Sequence, residues 1–398
     1  MVPSTVASLT EWISEAGLRA TDEARFLGEF GTRACNAGLP LSSVVVFVDT
    51  LHPIYEGHAL RWRAEVSGAT AYDYEPTEGE RLERWQRSPF YRLLETGETR
   101  LRIVIDGESR PHIAPRDWLP ASATEYLACV TRFGQEGVIG GLDCVYSGWV
   151  TQETNGFTEE QVTAIEALLP PLAMVLKSCM LARIARTLVE TYLGRDAGQR
   201  VLSGRISRGA VERISTALWF SDLRDYTRIA EGSAPDELIP FLGEHAETVI
   251  DVIHAAGGDV LKLIGDGTLA IFAAPDSEEA CRAALAAAER AIDAIRELGH
   301  RRASSGLAAT RLYLGLHFGD VFFGNIGSRE RLDFTVVGPA VNEVSRIAAM
   351  CRSLDQPALF SSRFVSMLGA DADRLVSVGR YALRGVGKAQ HLFTFEPA

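Results

Sequence analysis

The residues in this sequence best placed to do chemistry are two carboxylates at the ends of apolar runs. Asp222 stands in Leu218-Trp219-Phe220-Ser221-Asp222-Leu223-Arg224-Asp225-Tyr226-Thr227. Asp266 stands between Gly265 and Gly267, in a strand-like stretch from Val260 to Phe272 that carries a single lysine, Lys262. Gly-Asp-Gly between two β-type runs predicts a hairpin turn, because glycine tolerates the positive φ that tight turns need. Either aspartate alone reads as an ordinary turn residue. Together, two strand-end carboxylates can hold a divalent cation against a polyphosphate, since hard cations take oxygen ligands. Downstream, Asn342 and Arg346 are four apart in a helix opened by Gly338-Pro339. They share one helix face and can reach one ligand together.

The elements that must position these groups run, from Ala217, strand, helix, hairpin, helix, hairpin, helix. The first helix carries Leu238, Leu242, His245, Val249 and Val252 on one face, which makes His245 a packed core histidine. The next is capped by Ser277 and aligns Cys281, Leu285, Ala288, Ile292 and Ile295. Strands Leu312–Leu316 and Val321–Asn325 follow, separated by His317-Phe318-Gly319-Asp320. This βαββαβ order predicts an α+β, ferredoxin-like antiparallel sheet with its helices on one face.

Upstream, two helical patterns occupy residues 5–38. Ser43–Val48 reads as a buried strand and Leu60–Val66 as a second one. A charged, turn-rich stretch from Thr77 to Arg87 precedes a short helix over Pro89–Leu94. Tyr126–Phe133 and Val138–Tyr146 read as paired strands joined through Gly134-Gln135-Glu136-Gly137. Thr158 with Gln161 forms a capping box, and Phe157 with Val162 a hydrophobic staple, at the start of a terminal helix. His52 and His58 are candidate ligands, or hydrogen-bonded loop residues. Leu181, Ile184 and Leu188 fit either a short coiled-coil seam or an amphipathic helix packed on its own domain. The domains expected are 1–178, a helical linker over 179–212, and 213–398.

At 398 residues the chain has room for two cores, and its net charge of −12 argues against a nucleic-acid partner. The acidic balance leaves nucleotides open, because metal ions can bridge an acidic site to phosphates. Six cysteines without a CxxC pair read as reduced thiols of a cytoplasmic protein. The start Met-Val-Pro-Ser-Thr has no signal-peptide pattern. The apolar run Ala167–Leu176 contains Pro170-Pro171 and is too short to span a bilayer, so no membrane span is expected.

Four segments in order resemble the catalytic domain of class III nucleotidyl cyclases, from about Ala217 to the C-terminus. Phe220–Thr227 is similar to the family's first metal segment and Leu261–Gly267 to its second. Gly319–Ser328 resembles the connecting hairpin, and Phe334–Arg346 the transition-state helix. The resemblance implies an adenylate cyclase that converts ATP to 3′,5′-cyclic AMP and pyrophosphate. It implies Asp222 and Asp266 as ligands of two Mg²⁺ or Mn²⁺ ions, with the Leu223 carbonyl as a further ligand. The N–H groups of Leu223, Arg224, Asp225, Tyr226 and Thr227 would cradle the triphosphate. Lys262 and Thr335 would read the base, Asn342 would orient the ribose, and Arg346 would stabilise charge on the α-phosphate. Arg384 occupies the place of a triphosphate-contacting lysine.

The pair Lys262 and Thr335 favours ATP over GTP within that resemblance. Asp225 stands where the family usually has glycine, and Asp320 where some relatives carry an arginine. The resemblance also implies a homodimer with shared sites. Residues 1–178 are similar to a GAF-type sensory domain, which implies regulation by a small-molecule ligand or partner whose identity the sequence does not give. The alternatives are a guanylate cyclase, a diguanylate cyclase suggested by Gly257-Gly258-Asp259, and a nucleotide-binding sensor of weak activity.

Overall fold

Apolar clusters divide the chain into two units, Met1–Leu188 and Val189–Ala398. The computed structural model describes residues 3–66, 68–106, 109–113, 118–134, 139–140, 142–206, 211–328 and 330–396.

In the first unit, α1 (Pro3–Gly17) and α2 (Glu23–Asn36) lead into β1 (Ser43–Asp49), β2 (Gly57–Arg63) and β3 (Ala69–Tyr74). Then come α3 (Glu80–Gln86), α4 (Pro89–Thr96), β4 (Arg100–Val104), α5 (Arg110–Ile113), β5 (Glu125–Arg132), β6 (Cys144–Thr151) and α6 (Glu159–Leu193). The six strands form one antiparallel sheet ordered β3-β2-β1-β6-β5-β4. Alternation in β1 sends Val44, Val46 and Val48 into the core built with α1, α2 and α6. On the other face, Phe90 and Leu93 of α4 pack on Tyr126, Ala128 and Tyr146.

The capping box is present: Thr158 N–H donates to Gln161 Oε1 at 2.9 Å, and Gln161 N–H to Thr158 Oγ1 at 3.3 Å. The loop expected over Thr77–Arg87 contains α3 instead, a helix with no buried residue and hence no apolar periodicity to read. The expected strand from Val138 begins at Cys144, and residues 135–138 of that prediction lie outside the described residues. His52 is a loop residue whose Nδ1 accepts from Ile54 and Tyr55 N–H. His58 lies buried within β2, its Nδ1 2.7 Å from Asp73.

α6 is continuous through Pro170 and Pro171 and is long and apolar enough, by length and composition, to cross a bilayer. The short-run argument from Ala167–Leu176 therefore does not apply. Half of its most apolar stretch is buried inside the protein, and Ile184 is buried in the first core with Leu181 and Leu188 packed on it. All three residues pack on their own unit.

The second unit contains α7 (Arg195–Leu202), β7 (Val211–Leu223), α8 (Tyr226–Gly232), α9 (Pro235–Ala255), β8 (Asp259–Ile264), β9 (Gly267–Phe272) and α10 (Ser277–Ser304). It continues with β10 (Leu312–Gly327), β11 (Leu332–Val337), α11 (Pro339–Leu354), β12 (Ala358–Ser361), α12 (Ser362–Val365), β13 (Leu375–Tyr381) and β14 (Gln390–Phe395). Its sheet is ordered β13-β14-β12-β10-β7-β9-β8, with β11 paired to β10. Strands β10-β7-β9-β8 are antiparallel neighbours, as a ferredoxin-like βαββαβ unit requires.

Three details differ from expectation. β10 is one strand: Leu312 through Gly324 pair with β7, and this ladder overrides the turn signal of Gly319-Asp320. α10 is capped by Asp276, whose carboxylate accepts from Glu278 N–H at 3.0 Å, one residue before Ser277. The helices also cover both faces of the sheet. Phe241, Val249 and Ile253 of α9 and Cys281, Leu285 and Ile295 of α10 pack on Ala217, Trp219 and Phe272. Ala340 and Val344 of α11 pack on the opposite side, against Leu218, Leu269 and Ile271.

Candidate active site

β7 and β9 pair antiparallel from Ala217↔Phe272 to Ser221↔Thr268, and this register carries the end of β7 to the β8–β9 turn. Ile264 and Gly267 close that hairpin, leaving Gly265 (φ 63°) and Asp266 at its tip. Asp222 and Asp266 therefore meet. Leu223 N–H bridges them, donating to Asp222 Oδ1 at 3.1 Å and to Asp266 Oδ2 at 3.2 Å. Partial burial, then the adjoining Asp266 carboxylate, push the Asp222 carboxyl up to about 7. Two carboxylates held together in this way are what a divalent cation neutralises, so the pair fits a metal. Among the described residues, no three or more His, Cys, Asp or Glu side chains are grouped so as to hold a metal ion. Further ligands must come from main-chain or substrate oxygens.

The turn after β7 is shaped by Asp225, which precedes α8 in a left-handed conformation, φ 56° and ψ 23°. Glycine would occupy that conformation without cost, and aspartate is among the side chains that tolerate it. The Arg224 N–H donates to the Arg311 carbonyl at 2.8 Å. The first-turn N–H groups of Tyr226 and Thr227 have no intrahelical acceptor. Arg224 also lies 5.7 Å over the Tyr313 ring and 3.5 Å from Asp355, tying the end of β7 to the end of α11.

Lys262 is aimed by a bulge. Val260 pairs with Ala270, yet Lys262 pairs with the very next residue, Leu269, so Leu261 is extra. Val260 and Lys262 consequently point to opposite faces, where strict alternation would put them on one. Lys262 shares the α11 side with Leu269, and its ammonium makes a close ion pair with Asp333 of β11. Asp333 escaped the sequence reading; its only signal is its position two residues before Thr335 on the same strand. Thr335 itself is half-buried, opposite Gly324.

α11 lies along β10 because two glycines let it approach. A Cβ on Gly315 would come within 2.7 Å of the Ala348 nitrogen, and one on Gly319 within 2.6 Å of the Ala340 Cβ. The helix therefore runs antiparallel to β10. Its last turn lies near Tyr313, which pairs with Asp222, and the charge of Arg352 bears on Asp222. Asn342 is ten residues earlier, roughly 15 Å along the axis. Within one chain, then, Asn342 and the metal pair are at opposite ends of α11. Asn342, Arg346 and Arg384 are exposed, and among the described residues none has a side-chain partner. Asp320 is far from the metal pair, with its carboxylate accepting from Arg213 at 2.6 Å and from Ser215.

Comparison with known proteins places these features in context. Residues 211–395 match the model of the adenylate and guanylate cyclase catalytic domain. Adenylate cyclase 1 of Rhizobium meliloti is 32% identical over 169 residues, 41% of this chain and 25% of that protein. An adenylate cyclase of Anabaena cylindrica is 28% identical over 192 residues, 48% of this chain and 38% of that one. The chain thus spans a quarter to somewhat over a third of these relatives. A solved bacterial light-regulated adenylyl cyclase is similar in fold, with a TM-score of 0.50 at 18% identity over 65% of this chain and 82% of that one.

Proposed function

Because residues 211–395 form a catalytic domain of the adenylate and guanylate cyclase family, we propose that this chain converts ATP to 3′,5′-cyclic AMP and pyrophosphate. The observation that carries the proposal is the meeting of Asp222 and Asp266 across the β7–β9 register, bridged by Leu223 N–H. Asp222, Asp266 and the Leu223 carbonyl would hold two Mg²⁺ or Mn²⁺ ions. When bound, the ions acidify the ribose 3′-hydroxyl and neutralise phosphate charge for in-line attack on the α-phosphorus. Tyr226 and Thr227 offer N–H groups to the triphosphate, and Arg384 a further cation. Lys262 and Thr335 read the base: an ammonium donates to the adenine ring nitrogens, and Asp333 holds it on the α11 side. Asn342 orients the ribose. Arg346 meets the charge that develops on the α-phosphate.

Two features weigh against the alternatives. Asp259 is a partly buried first residue of β8, not a turn residue, which disfavours a diguanylate cyclase. Asp225 keeps the backbone conformation that glycine would permit, which supports a working phosphate turn over an inactive sensor. The distance along α11 supports a homodimer in which one chain's Asp222 and Asp266 face the partner's Asn342 and Arg346. The first unit would then be regulatory, joined to the second through α6. The test is product formation from ATP and from GTP with Mn²⁺, using wild type, Asp222→Ala and Asp266→Ala. Cyclic AMP from the wild type alone is expected; more than a few per cent of activity in either variant would overturn the metal assignment.

A further inference from the structure

The last turn of α11 is fastened beside the carboxylate pair. Cys351 Sγ donates to the Leu314 carbonyl at 3.3 Å, and Tyr313, the neighbour of Leu314, pairs with Asp222. Tyr313 shares an apolar cluster with Ile347 and Cys351, so it faces α11. Asp222 faces the same way. Phe220 packs on the α11 side and Leu223 on the α9–α10 side, and strand alternation sets Asp222 with Phe220. At the C-cap of the helix, Asp355 lies 3.5 Å from Arg224, which follows Asp222 by two residues. Arg352 therefore lies between two attachments to the strand end that carries Asp222.

Arg352 is exposed, and among the described residues its side chain has no partner. Its charge bears on Asp222. The neighbouring Arg224 is already engaged, with Asp355 and with the Tyr313 ring. Two carboxylates by themselves repel a polyphosphate. A guanidinium beside them reverses that repulsion and offers parallel N–H donors that match phosphate oxygens.

We propose that Arg352 is a substrate-binding residue that grips a phosphate oxygen of the nucleotide held on the same chain's Asp222 and Asp266. The inference rests on the cyclase reading and adds a cation to the metal half of the site. It also divides the two arginines of α11 by task. Arg346 is six residues earlier, roughly 9 Å along the axis. In the shared-site dimer Arg346 serves the partner's nucleotide and Arg352 its own, so one helix contributes to both sites.

The test uses the full chain and two probes, Mn²⁺ alone and inorganic tripolyphosphate with Mn²⁺, read by calorimetry. The wild type should bind both. Arg352→Met should bind tripolyphosphate about tenfold more weakly, the loss of one charge-assisted hydrogen bond, and Arg352→Lys should fall between. Both substitutions leave the core untouched, since the side chain is exposed. Mn²⁺ alone should bind Arg352→Met at least as well as the wild type, because a positive charge beside the carboxylates has gone. A residue that merely shaped the pair would weaken Mn²⁺ binding as well. KM for ATP should rise by the same factor with kcat held. Cyclic AMP formation by the wild type judges the cyclase reading, whereas the binding comparisons judge Arg352 even in a chain that makes no cyclic AMP. Equal tripolyphosphate binding by wild type and Arg352→Met, an equal loss of Mn²⁺ binding in that variant, or no tripolyphosphate binding by the wild type would each overturn the proposal.

Discussion

The side chain of Asp222 has competing demands placed on it. Partial burial and its neighbour Asp266 raise its pKa to about 7, so without a cation the folded protein keeps a proton that the unfolded chain releases near pH 4. Stability of the metal-free protein must then fall as pH rises from about 4 to about 7 and level off above. Asp222→Asn cannot ionise and lacks this loss. Melting curves of the two metal-free proteins should diverge between about pH 4 and about pH 7, with the variant ahead at the upper end; parallel curves would show that folding does not raise the Asp222 pKa. A second prediction concerns Lys262. Lys262→Glu with Thr335→Cys should lower ATP use and raise the relative use of GTP, because a carboxylate accepts from the guanine N1–H and 2-amino group where an ammonium cannot. An unchanged ATP:GTP ratio in initial rates would remove Lys262 as the base reader.

At the scale of elements, α9 offers a simple check on packing. Gly243 lies inside the helix with open space where a Cβ would be. Gly243→Ala should therefore stabilise by about 0.5–1 kcal/mol through helix propensity, read as a higher denaturant midpoint with unchanged slope. The elements that the sequence made legible are those specified locally. Gly265-Asp266-Gly267 announces its turn, Thr158-x-x-Gln161 its helix start, and Gly338-Pro339 the opening of α11. The elements that escaped depend on partners distant in sequence. β10 stays extended through Gly319-Asp320 because β7 pairs with it throughout. β3 and β4 are edge strands with little burial, so no apolar alternation marks them. The candidate site shows the same division. Asp222, Asp266 and Lys262 were visible as residue types in a pattern, but the bulge at Leu261 that aims Lys262 and the ion pair with Asp333 exist only once β8, β9 and β11 are assembled.

For the whole molecule, the decisive feature is that α11 keeps Asn342 away from its own chain's metal pair. If two chains complete each other's sites, Asp266→Ala and Arg346→Ala chains, each inactive alone, should regain cyclic AMP formation when mixed. Failure to regain it, with subunit exchange shown by a separate label, would rule out shared sites. The same arrangement has a consequence for gene dosage. In such a dimer a chain carrying both lesions would spoil both sites of any intact partner, since it would offer neither metals to one nor Arg346 to the other. Activity then follows the square of the intact fraction, so equal amounts of intact and doubly altered chains retain about a quarter of full activity instead of half. A cell with one damaged copy would lose more signal than its share of damaged protein, and the length of a single helix would be the reason.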